Sequence, residues 1–143
     1  MRRLIVAVFA LCFVAVCMSC VNKAKQETEQ QEEADLGITA EIRTDSITEV
    51  LVEFDNVRYS TTVDKSILLH NPTDTPLSLI DYDATCRCTW VDLPHKAIAP
   101  GEAGEVVLKF DSRGEYGSVG NYVDIRTSDP RCRIGIWMSA HVN

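Results

Sequence analysis

The stretch Glu105-Val106-Val107-Leu108-Lys109-Phe110-Asp111 carries the clearest structural pattern in this chain. The apolar side chains of Val106, Leu108 and Phe110 occupy alternate positions, which is the period of two expected of a β-strand with one buried face. A turn signal, Pro100-Gly101, precedes it, because proline suits the first central position of a type II turn and glycine the second, where φ is positive. The stretch therefore predicts a strand that packs one face against a core.

The same period of two recurs on both sides of this stretch, from Ile47 to the end of the chain. Turn sequences rich in Asn, Asp and Pro separate the runs, as at Asn71-Pro72 and Ser128-Asp129-Pro130. About seven short strands and no segment of helical period indicate an all-β, immunoglobulin-like β-sandwich. The predicted core includes Val52, Phe54, Leu69, Leu108, Phe110, Ile125 and Ile136.

The composition excludes some classes of function. The chain has 143 residues and a net charge of -7, and its Lys and Arg residues form no long cluster, so we expect no nucleic-acid partner. No Ser/His/Asp order, glycine-rich phosphate loop or paired carboxylate is visible. The sequence therefore predicts that the protein is not an enzyme, with thiol redox activity of its cysteines as the one exception left open.

The N-terminus has the layout of a secretory signal. Met1-Arg2-Arg3 is positively charged, an apolar run without charge extends from Leu4 to Val16, and Ser19-Cys20 follows. This layout resembles a bacterial lipoprotein signal, which implies a signal peptide over residues 1–19 and Cys20 as the acylated N-terminus; Cys17 is the rival acceptor. A cysteine with two or more acyl chains anchors a protein stably to a membrane. The sorting pattern that this resemblance implies depends on the residue after the acceptor cysteine. Val21 at that position favours a lipid-anchored location at the outer membrane of the bacterial cell envelope.

The segment after the anchor is polar and rich in Gln and Glu, so it cannot bury enough apolar surface to offset its ordering entropy. We predict that residues 20–46 are the lipid anchor and a flexible acidic tether, with a short marginal helix as the alternative. The sandwich domain is then expected over residues 47–143.

The region from Phe54 to Val142 resembles a bacterial family of domains of unknown function, DUF1573. Its motifs stand here, in order, as Phe54-Asp55-Asn56-Val57, Asn71, Pro76-Leu77, Cys86-Arg87-Cys88-Thr89, Pro100-Gly101-Glu102 and Phe110-Asp111. The resemblance implies an immunoglobulin-like fold related to the ASH and major-sperm-protein domains, and it carries over no catalytic residue. Asn56 and Arg87 stand where the family usually has glycine, so a positive φ at Arg87 would be strained.

The cysteines Cys86, Cys88 and Cys132 are the candidate site, because an oxidising envelope permits disulfides. One alternative is a structural bridge from Cys132 to Cys86 or Cys88, which closes a loop of roughly 45 residues and contributes about 3–4 kcal/mol. A second is a thiol redox pair, with Arg87, Arg131 and Arg133 lowering a thiol pKa. A third is a Cu(I) or Zn(II) site in which Cys132 or His95 adds a third ligand.

Turns gather at the two ends of such a sandwich, so we expect Cys132 to lie at the same end as Cys86 and Cys88 and to bridge one of them. Trp137 falls on the outward side of its strand and is a candidate for an exposed interaction patch. The preferred function is a non-enzymatic binding or structural module that is held at the membrane and meets an envelope protein. It is expected to need no cofactor. The alternative is a redox or metal-handling protein.

Overall fold

Eight β-strands make up the part of the chain that the computed structural model describes, residues 37–143. They are β1 (Ile38–Glu41), β2 (Ile47–Val57), β3 (Thr62–His70), β4 (Leu79–Ala84), β5 (Thr89–Asp92), β6 (Ala103–Asp111), β7 (Gly117–Thr127) and β8 (Arg133–Val142). No helix within this range is long and apolar enough to cross a membrane. The predicted signal peptide, Cys20 and the first part of the predicted tether lie outside the described residues.

The strands form two four-stranded sheets, one in the order β1-β3-β6-β5 and the other in the order β2-β8-β7-β4. The β1–β3 and β2–β8 pairs are parallel, and the other four neighbouring pairs are antiparallel. The all-β sandwich predicted from the alternating pattern is therefore confirmed, and the seven predicted strands correspond to β2 to β8.

Alternate residues of both sheets point inward and form a single apolar core. Phe110 of β6 is completely buried, and its ring lies 6.3 Å from that of Phe54 on β2, measured between centroids. All seven residues predicted for the core are buried: Val52, Phe54, Leu69, Leu108, Phe110, Ile125 and Ile136.

Strand β1 corrects the predicted start of the domain. The sequence predicts that residues 37–46 belong to the tether, but β1 pairs with β3 from Ile38 to Glu41, and Ile42 is only 1% exposed. The Ile42 amide donates a hydrogen bond to the His70 carbonyl at 2.9 Å. This short strand has little local signal, and its stability comes from a parallel pairing with residues almost thirty positions later.

The loops gather at the two ends of the sandwich. One end carries the loops 58–61, 85–88 and 112–116, and we call it the disulfide end. The opposite end carries the loops 42–46, 71–78, 93–102 and 128–132. Gly101 at the opposite end has a φ of 74°, as the predicted type II turn requires.

Candidate functional site

A disulfide joins Cys86 and Cys88 at the disulfide end, in the short loop between β4 and β5. The two Cα atoms lie 5.2 Å apart, within the normal range for a disulfide. Both cysteines are half-buried, so part of each residue is open to solvent. The site is therefore a disulfide whose ring encloses a single residue, Arg87.

The predicted bridge from Cys132 to this pair is wrong. Cys132 is a free, completely buried thiol at the opposite end of the sandwich. The distance between Cys88 and Cys132 can be judged along strand β7. Asn121 of this strand contacts Cys88, and Thr127 donates a hydrogen bond to the Cys132 carbonyl. Six residues of extended strand separate those two contacts, about 20 Å at 3.3 Å per residue.

The charges around Cys132 also differ from the expectation. Arg131 pairs with Asp129 at 2.7 Å, and Arg133 pairs with Asp124, so both guanidinium groups have partners at the opposite end and do not serve the Cys86–Cys88 pair. Burial raises the pKa of the Cys132 thiol and the Asp129 carboxylate raises it further, while Arg131 opposes them. Cys132 is thus a poor nucleophile in the folded protein.

Hydrogen bonds hold both sulfur atoms of the disulfide. The Cys88 amide donates to Cys86 Sγ at 3.0 Å, and Asn121 Nδ2 donates to Cys88 Sγ at 3.3 Å and to Thr89 Oγ1 at 2.9 Å. Asn121 and Thr89 are buried, so the Asn121 side chain is held in place against Cys88 Sγ. A donor that faces a sulfur stabilises the thiolate that forms when the disulfide opens.

The backbone of the loop accommodates Arg87 without a left-handed conformation. Ser60 is the only non-glycine residue between positions 37 and 143 with a positive φ, so the strain anticipated at Arg87 is absent. The Thr89 amide donates to the Cys86 carbonyl at 3.3 Å, and the Asp111 amide donates to the Cys88 carbonyl at 2.8 Å. The second bond ties the cysteine loop to the end of β6.

The third group at the site is Glu115, which the sequence did not reveal. Its carboxylate and the two sulfur atoms all lie within 4.8 Å of one another. Two glycines with positive φ, Gly114 at 86° and Gly117 at 69°, shape the loop that carries it. The loop is also held by Ser112, which is buried and donates a hydrogen bond to the Arg58 carbonyl at 2.7 Å.

Neither of the predicted third metal ligands reaches the pair. Cys132 lies at the opposite end, and so does His95, an exposed residue of the loop 93–102. Within residues 37–143, Cys86, Cys88 and Glu115 are the one group of three potential metal ligands that the fold brings together. Glu115 cannot be recognised from the sequence because it stands 27 positions from Cys88, in a loop with no metal-binding motif of its own.

Two tyrosines add an exposed aromatic surface to the same end. The rings of Tyr59 and Tyr116 stack with their centroids 4.8 Å apart, and both side chains are exposed. A hydrogen bond with Tyr59 raises the pKa of the Tyr116 hydroxyl. The disulfide end thus combines a half-exposed disulfide, a carboxylate and an aromatic pair.

A second surface feature lies on the outward face of the β2-β8-β7-β4 sheet. Leu51, Trp137 and Tyr122 occupy directly paired positions on three neighbouring strands and form an outward apolar row. Leu51 is 74% exposed and Trp137 is 49% exposed, so the predicted outward position of Trp137 is confirmed. The Tyr122 and Trp137 rings contact each other with centroids 4.6 Å apart.

Comparison with known proteins gives one family match. The sequence model of the family described as "Protein of unknown function (DUF1573)" matches residues 46–142, which is more than half of the chain and includes the whole Cys86–Cys88 site. A search of curated proteins gives no match.

Two solved structures are similar in fold. One, described as the crystal structure of a protein of unknown function from Porphyromonas gingivalis W83, has a TM-score of 0.53 and 16% identity over 71% of this chain. This chain spans 47% of the length of that protein, and at this identity the likeness shows the fold alone. The other, the structure of PbICP-C in complex with falcipain-2, covers 75% of this chain and 100% of its own at 8% identity, and its TM-score of 0.42 is too low to carry an argument.

Proposed function

The chain belongs to the DUF1573 family, and we propose that this member is a lipid-anchored envelope protein whose domain exchanges electrons with a partner through the Cys86–Cys88 disulfide. One observation carries the proposal: the disulfide spans only two sequence positions and is half-exposed, while the other thiol of the domain is buried far away. The partner is defined by its chemistry as a protein with a pair of reactive thiols.

The small size of the ring argues against a structural role. By the chain-entropy relation a loop of three residues contributes about 1.5 kcal/mol, whereas a 45-residue loop contributes about 4 kcal/mol. A disulfide that stabilises the fold so little is opened at little cost to folding. Both cysteines are only partly buried, and thiol exchange depends on such access to the disulfide.

The exchange balances with a dithiol partner. One partner thiolate attacks a sulfur of the disulfide, which forms a mixed disulfide and releases the other sulfur as a thiolate. The second partner thiolate then attacks the partner's own sulfur in the mixed disulfide, so the partner leaves as a disulfide, and Cys86 and Cys88 take up the two protons that the partner thiols lost and remain as two thiols. Two electrons pass from the partner to this protein. Asn121 and the Cys88 amide stabilise the departing thiolates, because each donates a hydrogen bond to a sulfur.

The location is part of the proposal. Acylated Cys20 would hold the domain at the membrane surface, and Val21 favours the outer membrane under the lipoprotein sorting pattern. The envelope is the compartment in which a disulfide such as Cys86–Cys88 forms and persists.

The direct test is a redox titration of the purified full chain in glutathione buffers that contain a metal chelator, with trapping of thiols by a maleimide and peptide mass spectrometry. We expect Cys86 and Cys88 to gain or lose labels together and reversibly while the protein stays folded. The Cys132→Ala variant is the control and should titrate in the same way. A disulfide that millimolar dithiothreitol opens only after denaturation would refute the proposal.

A second candidate function is a non-enzymatic binding module, and the outward apolar row favours it. Trp and Tyr dominate the energetics of protein interfaces, and here Trp137 and Tyr122 are held against each other on the outward face. We propose an envelope protein as the partner for this face. A photo-reactive amino acid at Leu51 should then crosslink one protein in intact cells, and Trp137→Ala should abolish the product. The same probe at Ile80, which is similarly exposed on β4, is the control; identical products from both positions would contradict this function.

A further inference from the structure

The three groups at the disulfide end have the composition of a metal site once the disulfide is open. Reduction leaves two thiols and a carboxylate whose ligand atoms are all within 4.8 Å of one another in the oxidised protein. The cysteines come from the loop 85–88 and Glu115 from the loop 112–116, and the Asp111–Cys88 backbone hydrogen bond links the two loops. The cluster is therefore assembled by the fold and not by a sequence motif.

Electrostatics favours a cation in the reduced state. Two thiolates beside a carboxylate repel one another, so without a counterion the thiols must stay protonated or return to the disulfide. Arg113 is bonded to Asp111 at 2.6 Å, and Arg87, the residue between the two cysteines, is exposed and can offset at most one of the three negative charges. A divalent metal ion that replaces the two thiol protons removes the repulsion.

The mixture of ligands selects the class of metal. Zinc accepts cysteine sulfur and carboxylate oxygen together in a tetrahedral site, whereas Ca²⁺ and Mg²⁺ require oxygen ligands and Cu(I) prefers sulfur alone. Three protein ligands leave the fourth tetrahedral position for water or a partner's side chain. Asn121, which donates a hydrogen bond to Cys88 Sγ, would orient that ligand as outer-shell groups do in metal sites.

We propose that the reduced Cys86–Cys88 pair and Glu115 bind one Zn²⁺ ion, and that oxidation of the pair to the disulfide releases it. The proposal deepens the proposed function, because it rests on a reducible disulfide. The steps balance: reduction by a dithiol adds two electrons and two protons to the disulfide, and zinc binding then displaces the two protons. In the reverse exchange the oxidised, disulfide form of that partner accepts the two electrons from the thiolates and two protons from solvent, so the partner becomes a dithiol, the Cys86–Cys88 disulfide re-forms and the ion is released.

The experiment measures zinc affinity of the purified full chain by competition with a chromophoric chelator, after reduction with dithiothreitol and removal of the reductant without air. The same measurement is made on the oxidised protein and on the Cys86→Ala/Cys88→Ala variant. Glu115→Gln tests the carboxylate. Its control is Glu102→Gln, which makes the same charge change at an exposed position of the opposite end. Co²⁺ absorption supplies a second readout, since thiolate ligands give an intense charge-transfer band.

We expect one zinc ion per reduced wild-type chain, with affinity at least about 100-fold higher than that of the oxidised protein or the double variant. Glu115→Gln should weaken binding by at least about tenfold, the scale on which loss of one supporting group affects metal sites. Glu102→Gln should bind like wild type. Equal zinc binding by the reduced and oxidised protein, or identical affinities of the two Gln variants, would overturn the assignment. Reversible titration of the disulfide in the presence of chelator would still support the proposed exchange, so the two proposals fail separately.

Discussion

Loss of the Cys86–Cys88 disulfide should lower the free energy of unfolding by no more than about 1.5 kcal/mol. The magnitude follows from the loop that the disulfide closes, which is three residues long when both cysteines are counted. The chain-entropy relation for loop closure converts this length into a free energy. A bridge to Cys132 would have closed a loop about fifteen times longer and contributed about 4 kcal/mol. The two alternatives therefore differ by about 2.5 kcal/mol, well above the error of a denaturation experiment.

The assay is urea unfolding of the full chain at neutral pH, followed by tryptophan fluorescence with and without dithiothreitol. Reductant should destabilise wild type by about 1.5 kcal/mol or less and should leave the Cys86→Ser/Cys88→Ser variant unchanged. Far-ultraviolet circular dichroism should show a β-rich spectrum in both redox states. A loss of more than about 3 kcal/mol on reduction would mean that the disulfide is a structural staple, and the argument for a reversible redox pair would fail.

Three further predictions test the core, the anchor and the buried thiol. Phe110→Ala should lower the free energy of unfolding by about 3–5 kcal/mol, because the side chain is completely buried, and a loss below about 1 kcal/mol in urea denaturation would contradict that packing. Cys20→Ala should abolish acyl labelling and release the protein from membranes; persistence of the label, together with its loss in Cys17→Ala, would make Cys17 the acceptor. Cys132 should react with iodoacetamide much more slowly than reduced Cys86 in native protein at neutral pH, because burial raises the pKa of its thiol, and mass spectrometry that found equal rates would refute this.

The strands that the sequence predicts well are those with a full run of alternating side chains. Strands β6 and β8 each place three or more apolar residues on the inward face, so a local period of two is enough to locate them. Strand β1 has only four residues and exposes two of them, so its pattern is shorter than the window in which alternation is informative. What holds β1 is its parallel pairing with β3, and a pairing between distant segments leaves no local mark in a sequence.

The sequence identifies the cysteines of the candidate site but not which residues lie beside them. That arrangement depends on the number of strands that separate the cysteine pair from Glu115 and from Cys132. Each strand carries the chain from one end of the sandwich to the other. Three strands, β5, β6 and β7, separate Cys86 from Cys132, and an odd number of passes brings the chain to the opposite end. Two strands, β5 and β6, separate Cys88 from Glu115, so an even number of passes returns the chain to the cysteines. Strand β5 is only four residues long, yet its presence decides which residue joins the pair. Without β5, Cys132 would lie at the end of the sandwich that carries the disulfide and Glu115 at the other. With β5 present, the carboxylate and not the third thiol faces the disulfide.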